Sequence, residues 1–165
     1  YWKNHLDKLG EGKKIGISWR GGLVKTRSAT RSIPLIQWLP ILEATDTDII
    51  SLQYGDFNDE MIELQENTGS KIHFWHDAIE DFEETAALIE SLDLVISVQT
   101  TIVHLAGALG KSVWALIPFS PEWRYMGVGD AMPWYPSVLI FRQEIRGDWQ
   151  PVFDTIAQRL ETDFQ

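Results

Sequence analysis

Length, composition and charge exclude several classes of protein before any motif is considered. The chain has 165 residues, of which 44% are hydrophobic and 23% charged, and this suits one globular domain with a core of its own. A net charge of −10 argues against a nucleic-acid surface, because phosphate backbones are bound by basic patches. The sequence has no cysteine, which excludes a disulfide framework, a thiolate metal site and a cysteine nucleophile.

The start of the chain and its hydropathy bear on where the protein works. No apolar run is long enough for a membrane span, and the polar first residues are unlike a signal peptide, so we expect a cytoplasmic protein. The chain does not begin with Met, and we expect it to be a piece of a longer protein. In that organisation residues 1–13 are a linker or the end of a preceding element, and residues 14–165 form a single domain.

Short apolar runs alternate with amphipathic segments in the order typical of a parallel α/β sheet. A Pro- and Gly-rich segment, 118–136, is predicted to be a long ordered loop with one short helix. Because the strands at 92–98 and 112–117 are nearly continuous apolar runs instead of alternating ones, both faces of the sheet are expected to be buried. The pattern predicts a Rossmann-like, three-layer α/β domain with a mostly parallel sheet of about six strands. In chain order, strands are predicted at 14–19, 48–52, 71–74, 92–98, 112–117 and 137–141, with helices beginning near Pro34, Phe57, Glu83, Thr100 and Asp148.

The segment 97–110 carries the clearest functional signal. Its pattern indicates the end of a buried strand, then two threonines, then a helix, at the edge where ligands bind to open parallel sheets. The unpaired N–H groups and positive dipole of a helix N-terminus attract phosphate, and Thr100 and Thr101 add hydroxyl groups there. N-capping alone is the alternative explanation for both threonines. A nucleoside diphosphate is the ligand that this pattern favours.

Basic residues follow the first predicted strand and form the second group of candidates. Arg20, Lys25, Arg27 and Arg31 lie in one loop of an otherwise acidic chain, although each of them can also be a solvated loop residue. Arg31 is the best single candidate, because it precedes a helix start and an arginine there can bind phosphate with two hydrogen bonds. His104 lies one turn into the helix after the fourth strand, where it either faces the ligand or packs in the core.

Other polar and aromatic candidates lie in loops at the same edge of the sheet. Gln53 follows the second strand and Gln99 follows the fourth. Arg124 lies in the Pro-rich segment together with Trp123 and Trp134. A flat indole ring can stack on a base or a sugar, and anchoring of the loop is the alternative role for both tryptophans.

Three further patterns have simpler explanations. Residues 107–112 end in the Gly-Lys-Ser of a phosphate-binding loop, but they precede a strand, so we interpret them as a helix C-terminus. His73 and His76 lie three residues apart with no third ligand near, and we expect no metal site. Asp56 and Glu60 are interpreted as solvated carboxylates that favour the dipole of a following helix.

Six strings of the sequence form a combined pattern. They are HLAGALGKSVW at 104–114, PEWRY at 121–125, PWYPS at 133–137, FRQ at 141–143, RSIPL at 31–35 and SLQ at 51–53. Together they resemble the C-terminal domain of bacterial tetratricopeptide-repeat glycosyltransferases, which is similar to the heptosyltransferase family and, more distantly, to the O-linked N-acetylglucosamine transferases. The likeness covers nearly the whole chain from Lys14 onward.

The resemblance implies the half of a GT-B fold that binds a nucleotide sugar. In that case Arg31 lies near the diphosphate, Thr100 and Thr101 lie at the helix terminus, and His104 faces ribose or phosphate. The resemblance also implies that neither a metal nor another cofactor is needed. The catalytic base and the acceptor groove belong to an N-terminal GT-B half, which with the repeats lies elsewhere in the full-length chain. The isolated domain is then expected to be inactive or nearly so, and no catalytic residue is assigned in it.

One departure from the family pattern leaves a second function open. Many relatives carry Asp where this chain has Gln99, and an amide can donate as well as accept a hydrogen bond. The change from Asp to Gln is expected either to alter how the sugar donor is bound or to remove activity. The alternative to a glycosyltransferase domain is therefore a non-catalytic binding or scaffold module that keeps the fold beside a repeat array.

Overall fold

Six parallel strands form one sheet and confirm the predicted Rossmann-like class. The computed structural model describes residues 1–21, 28–44 and 46–163. The strand order is β3-β2-β1-β4-β5-β6, and every neighbouring pair is parallel. The strands are β1 (Lys14–Ser18), β2 (Asp48–Ser51), β3 (Ile72–His73), β4 (Leu94–Val98), β5 (Val113–Ile117) and β6 (Val138–Arg142).

Helices cover both faces of the sheet. Within the described ranges, no helix is both long and apolar enough to cross a membrane. Short 3₁₀ turns occur at Ser28–Thr30, Leu35–Trp38 and Trp123–Tyr125. The α-helices are α1 (Trp2–Asp7), α2 (Leu39–Glu43), α3 (Asn58–Thr68), α4 (Asp77–Glu80), α5 (Phe82–Glu90), α6 (Thr101–Ala108) and α7 (Gln150–Asp163).

The alternation of side chains along each strand divides the core into two layers. Ile15 and Ile17 of β1 face a layer that contains Trp38 and the inward face of α7. Val95 of β4 faces the other layer, which α1, α4, α5 and α6 complete. All five residues of β1 and of β4 are buried, because these strands lie in the middle of the sheet with helices on both sides.

Helix ends follow local chemistry that the sequence already shows. Asp81 caps α5, where its carboxylate accepts hydrogen bonds from the backbone N–H groups of Glu83 and Glu84. Gly69 ends α3 with a φ of 74°, a conformation that favours glycine. Gly110 has a φ of 72° between α6 and β5, so the Gly-Lys-Ser string is the helix C-terminus that we predicted.

Several elements differ from their predicted form. Pro34 precedes a 3₁₀ turn that runs into the short α2, so the predicted helix begins in the tighter form. β3 has only two residues, and the unpredicted α4 follows it. Residues 1–13 contain α1, whose Trp2 and Leu6 are buried against the layer around α5. These features depend on contacts distant in sequence, which a local pattern does not reveal.

The sheet order reverses between β1 and β4, and this reversal creates a crevice at the carboxyl ends of the two strands. The chain runs outward from β1 to β3 on one side and from β4 to β6 on the other. Ligands of open parallel sheets bind at such a point. The loops after β1 and β4 touch each other there, since a Cβ atom on Gly21 would lie 2.8 Å from the Gln99 carbonyl oxygen.

Candidate functional site

The crevice opens into a cleft of about 760 Å³. Trp123 lines a smaller cavity beside it, and Trp134 lines neither of these two spaces. Lys25 and Arg27 lie outside the described residues. The cleft brings together most of the residues that the sequence indicated, namely Arg20, Arg31, Gln53, Gln99, Thr100, Thr101, His104 and Arg124.

The N-terminus of α6 points its first turn at the cleft. Thr100 is the N-cap, and its hydroxyl accepts a hydrogen bond from the Ile102 N–H at 3.2 Å. The same hydroxyl lies 3.1 Å from the Ser97 hydroxyl. Thr100 therefore caps α6, which was the alternative explanation for this residue. It also lines the cleft. Thr101 is exposed at the first helical position.

Two arginines share one carboxylate on the opposite wall. Glu122 lies 3.7 Å from a guanidinium nitrogen of Arg31 and 3.8 Å from one of Arg124. Both separations exceed that of a short, direct ion pair. Such loose pairs contribute little to stability, so an anionic ligand can compete with Glu122 for the two guanidinium groups.

Arg20 is held at the cleft wall by groups on the β2 side. Its Nε lies 3.1 Å from Glu60, and its Nη2 donates to the backbone oxygen of Asp56 at 2.6 Å. Glu60 also accepts a hydrogen bond from the Trp19 indole at 3.1 Å. The interpretation of Glu60 as a solvated carboxylate is therefore wrong, because it fixes two side chains that come from the end of β1.

Gln53 organises the backbone after β1. Its Oε1 accepts hydrogen bonds from the backbone N–H groups of Trp19 at 3.0 Å and Arg20 at 2.8 Å. Its Nε2 donates to the carbonyl oxygens of Arg20 and Tyr54 at 3.2 and 3.0 Å. The amide of Gln53 is already occupied, so this residue shapes the cleft by positioning Arg20.

His104 packs against aromatic rings and lines the cleft at the same time. Its ring centroid lies 5.9 Å from that of Tyr125 and 5.8 Å from that of Tyr135. Partial burial, and secondly the charge of Arg124, lower the pKa of His104 below its usual value. The imidazole is therefore neutral at neutral pH and can both donate and accept a hydrogen bond.

Two buried polar groups at the cleft have no hydrogen-bond partner among the described residues. Gln99 is 2% exposed, and both its amide oxygen and its amide nitrogen are unpaired. The hydroxyl of Tyr125, a residue 1% exposed, is also unpaired, and burial raises the pKa of Tyr125 well above its usual value. Because unpaired buried polar atoms are uncommon, they indicate groups that a ligand would satisfy. Sequence reasoning missed Tyr125, although it belongs to the PEWRY string.

A second cavity extends the cleft toward β3. It measures about 450 Å³ and shares residues 53–56 with the main cleft. Phe57, Phe74 and Ile79 supply apolar surface in it, and His76 lies at the same wall. The predictions from the sequence did not include this extension, because α4, which carries Ile79, was not predicted.

His73 and His76, three residues apart in sequence, do not belong to a common group of potential metal ligands. His73 lies 3.4 Å from Asp48, at the opposite end of the sheet from the cleft, and exposed His76 pairs with Glu80 at 3.2 Å. Residues 1–21, 28–44 and 46–163 contain no group of three or more His, Cys, Asp or Glu side chains that could hold a metal ion.

The fold is an α/β Rossmann-like domain with a cleft at its switch point. Comparison with the sequences of known proteins identifies a relative. Protein FlbA of Caulobacter vibrioides is 34% identical over 164 residues, which are 97% of this chain and 27% of FlbA. The chain thus spans about a quarter of the length of that curated relative. No family model matches the chain.

Among solved structures, the chain is similar to a glycosyl transferase family 9 protein from Veillonella parvula DSM 2008. The TM-score is 0.52, and the match covers 86% of this chain and 40% of the other, at 14% sequence identity. A likeness at that identity is one of fold. It agrees with the heptosyltransferase-like part of the sequence resemblance. The tetratricopeptide repeats and the likeness to O-linked N-acetylglucosamine transferases stay predictions.

Proposed function

We propose that the chain is the donor-binding domain of a metal-independent glycosyltransferase and binds a nucleoside-diphosphate sugar in the cleft. The observation that carries the proposal is that the first turn of α6, Arg31 and Arg124 line one cavity of about 760 Å³. This local concentration of positive charge occurs in a chain whose net charge is −10. Phosphate is the anion that a helix N-terminus with nearby guanidinium groups binds best.

In this proposal the diphosphate lies between α6 and the two arginines. The phosphate oxygens would accept hydrogen bonds from the first-turn amides of α6 and from the hydroxyl of exposed Thr101. Arg31 and Arg124 would turn from Glu122 toward the ligand as their long contacts of 3.7 and 3.8 Å open. His104 would donate a further hydrogen bond.

In this proposal the nucleoside would bind in the cavity that extends toward β3. It is continuous with the cleft along residues 53–56, and the rings of Phe57 and Phe74 pack edge to face at 4.8 Å in its wall. A flat base buries its faces well against such aromatic and aliphatic surface. The base would therefore lie on the β2–β3 side, away from Trp123 and Trp134, which the sequence had suggested for it.

The same arrangement would promote sugar transfer, because negative charge builds up on the diphosphate as its bond to the sugar breaks. Helix dipoles and guanidinium groups that already contact the bound donor would stabilise that charge as it develops. Arg31, Arg124 and the α6 dipole would do so without a metal ion. In this account the acceptor and the catalytic base come from another part of the full-length protein.

The test is a binding panel with matched variants. UDP, GDP, ADP, CMP and the corresponding nucleotide sugars are titrated into the protein by calorimetry. The ligand that binds most tightly is then titrated into the variants. Arg31→Ala is expected to weaken its binding by about 10- to 100-fold through loss of charge-assisted hydrogen bonds. Arg159→Ala is the matched control, because Arg159 pairs with Asp163 on α7. No binding by the wild type, or equal binding by both variants, would contradict the proposal.

A further inference from the structure

A separate cavity lies beyond the carboxyl ends of β5 and β6, between the loops that follow these two strands. It measures about 170 Å³ and shares no lining residue with the main cleft. Its lining residues come from 118–120, from 143–149 and from the 3₁₀ turn Ser28–Thr30. An apolar cavity of about 150 Å³ holds one benzene ring, so this space accommodates a small molecule with a single ring.

The amide of Gln143 leaves a buried hydrogen-bond donor unused at this cavity. Gln143 is 6% exposed, and its backbone N–H donates to the Ile117 carbonyl oxygen at 2.8 Å. Its side-chain oxygen accepts a hydrogen bond from the Phe119 N–H at 3.2 Å. That contact fixes the orientation of the amide, because a backbone N–H needs an acceptor. The NH₂ group then has no partner among the described residues and requires an acceptor from elsewhere.

Arg146 adds a positive charge to the lining. Its Nη2 donates to the Ser120 hydroxyl at 3.0 Å, and its guanidinium lies 5.7 Å from the centroid of the Phe119 ring. No salt bridge joins Arg146 to a carboxylate of the described residues. The described residues that line the cavity include no acidic side chain, in a chain whose net charge is −10. An arginine and an unsatisfied amide donor without a nearby acid favour an anionic ligand.

The rest of the wall is apolar and partly aromatic. Pro118 is buried, Phe119 is 52% exposed, and Trp149 is partly buried against the core layer that contains the inward face of α7. A flat ring buries its faces well against such surface. Inorganic phosphate would satisfy the donors but has no apolar part to place against the rings. A carboxylate attached to a ring matches both halves of the cavity.

We propose that this cavity is a second ligand site and binds a small carboxylate that carries a single apolar ring. The carboxylate accepts hydrogen bonds from the Gln143 NH₂ and the Arg146 guanidinium, and the ring packs against Phe119 and Trp149. Because the cavity and the main cleft have no lining residue in common, this site does not depend on the proposed donor site.

The binding test is an NMR titration of an isotope-labelled sample with benzoate, benzamide and inorganic phosphate. The resonances followed are the side-chain NH₂ of Gln143 and the backbone amide of Phe119. Benzoate is expected to shift both in a saturable manner with a Kd of about 1 mM, which is reasonable for a molecule of its size. Benzamide has the ring without the charge, and phosphate has the charge without the ring. Both are expected to bind at least about tenfold more weakly than benzoate.

Two variants test the roles of the donors. Arg146→Gln removes a charge from an exposed position, so it is expected to weaken benzoate binding about tenfold and to leave the melting temperature nearly unchanged. Arg159→Gln is the matched control, since Arg159 pairs with Asp163 on α7 and does not line the cavity. Gln143→Glu keeps the oxygen that accepts from the Phe119 N–H and replaces the NH₂ by a second carboxylate oxygen. Repulsion between two carboxylates is then expected to abolish benzoate binding.

The outcomes separate this inference from the proposed function. Saturable shifts at Gln143 and Phe119 that weaken in Arg146→Gln and persist in Arg159→Gln support the second site. Equal affinities for benzoate and benzamide overturn it, as do equal benzoate affinities of Arg146→Gln and the wild type. It is also overturned if benzoate, at about ten times the expected Kd, shifts neither resonance or shifts only the first turn of α6. None of these results bears on nucleotide binding in the main cleft, which the nucleotide panel tests by itself.

Discussion

Gly21 lies against the backbone of Gln99, so that a Cβ atom at position 21 would approach the Gln99 carbonyl oxygen to 2.8 Å. The two residues follow β1 and β4, the central strands between which the sheet order reverses. The close approach brings the loop that leads to Arg31 next to the N-cap of α6. The cleft depends on this contact, because it sets the distance between the basic wall and the helix terminus.

Gly21→Ala is therefore expected to damage both the fold and the cleft. The added methyl group would also lie 2.9 Å from the Thr100 side chain, and one of the two loops must move. We expect a loss of about 1–3 kcal/mol in unfolding free energy and weaker nucleotide binding. Chemical denaturation and calorimetry measure the two effects. Gly127→Ala is the control, since nothing lies within 4 Å of its new Cβ atom, and equal behaviour of the two variants would contradict the account.

Arg142 stabilises the loop that carries Tyr125. Its guanidinium donates to the backbone oxygens of Gly129 at 2.6 Å, Met126 at 3.1 Å and Tyr125 at 2.5 Å. Met126 has a φ of 57°, a conformation uncommon for residues other than glycine, so this loop needs such support.

Arg142→Lys keeps the charge but replaces the planar, forked guanidinium by one compact ammonium group, which cannot span the carbonyl oxygens of Tyr125, Met126 and Gly129 in the same geometry. We expect the melting temperature to fall by several degrees and nucleotide affinity to fall with it, because Arg124 and Tyr125 lose their fixed positions. Differential scanning calorimetry measures the melting temperature, and titration calorimetry measures the nucleotide affinity. Arg146→Lys controls for the substitution itself, since the exposed Arg146 guanidinium donates to the Ser120 hydroxyl at 3.0 Å and lies over the Phe119 ring without holding a loop of strained backbone. A melting temperature that does not change in Arg142→Lys would contradict the assigned role.

Much of this architecture could be predicted from sequence, and the reasons are physical. The runs that became β4 and β5 are apolar at nearly every position because both faces of these parallel strands are buried. Gly69 marked the end of α3, and Asp148 marked the start of α7, where it accepts a hydrogen bond from the Gln150 N–H. The location of the cleft then followed from the rule for open parallel sheets.

What the sequence could not show were contacts between distant residues. Glu60 looks like a free carboxylate until the fold brings it to Trp19, 41 positions earlier in the chain. The amide of Gln53 was expected at the ligand, but it is occupied by backbone groups 33 and 34 positions away. The unpaired state of Gln99 and of Tyr125 depends on complete packing around them, which no local pattern encodes.

The protonation of His104 links donor binding to pH. In the free protein its pKa is lowered, first by burial and then by Arg124, and Tyr125 and Tyr135 pack against the ring. A bound diphosphate next to the imidazole would favour the charged form and raise that pKa, so binding takes up a proton. Affinity should therefore rise as the pH falls from 8 toward 6 and level off below the pKa of the free protein.

A nucleotide sugar is the right probe for this effect, because both of its phosphates are diesters that stay ionised across that range. Calorimetric titrations in buffers of different ionisation enthalpy measure the proton uptake. His104→Gln keeps a hydrogen-bonding side chain without the titration, and its affinity should not vary with pH. Equal pH profiles for the two proteins would rule out His104 as the linked group.

Tyr125→Phe tests whether the unpaired hydroxyl belongs to the ligand. The variant removes a buried polar group that lacks a partner among the described residues, so the melting temperature should stay level or rise. Nucleotide affinity should fall about three- to tenfold, the cost of one hydrogen bond. A lower melting temperature with unchanged affinity would show instead that the hydroxyl supports the fold.

The location of the diphosphate is the central claim, and backbone NMR tests it most directly. The amide resonances of an isotope-labelled sample are followed during titration with the nucleotide that binds best in the panel. The account predicts that the largest shifts occur at Thr101, Ile102 and Val103 in the first turn of α6, with smaller shifts around Arg31. If those amides do not move while others shift, or if no nucleotide causes a shift, the cleft is not the donor site.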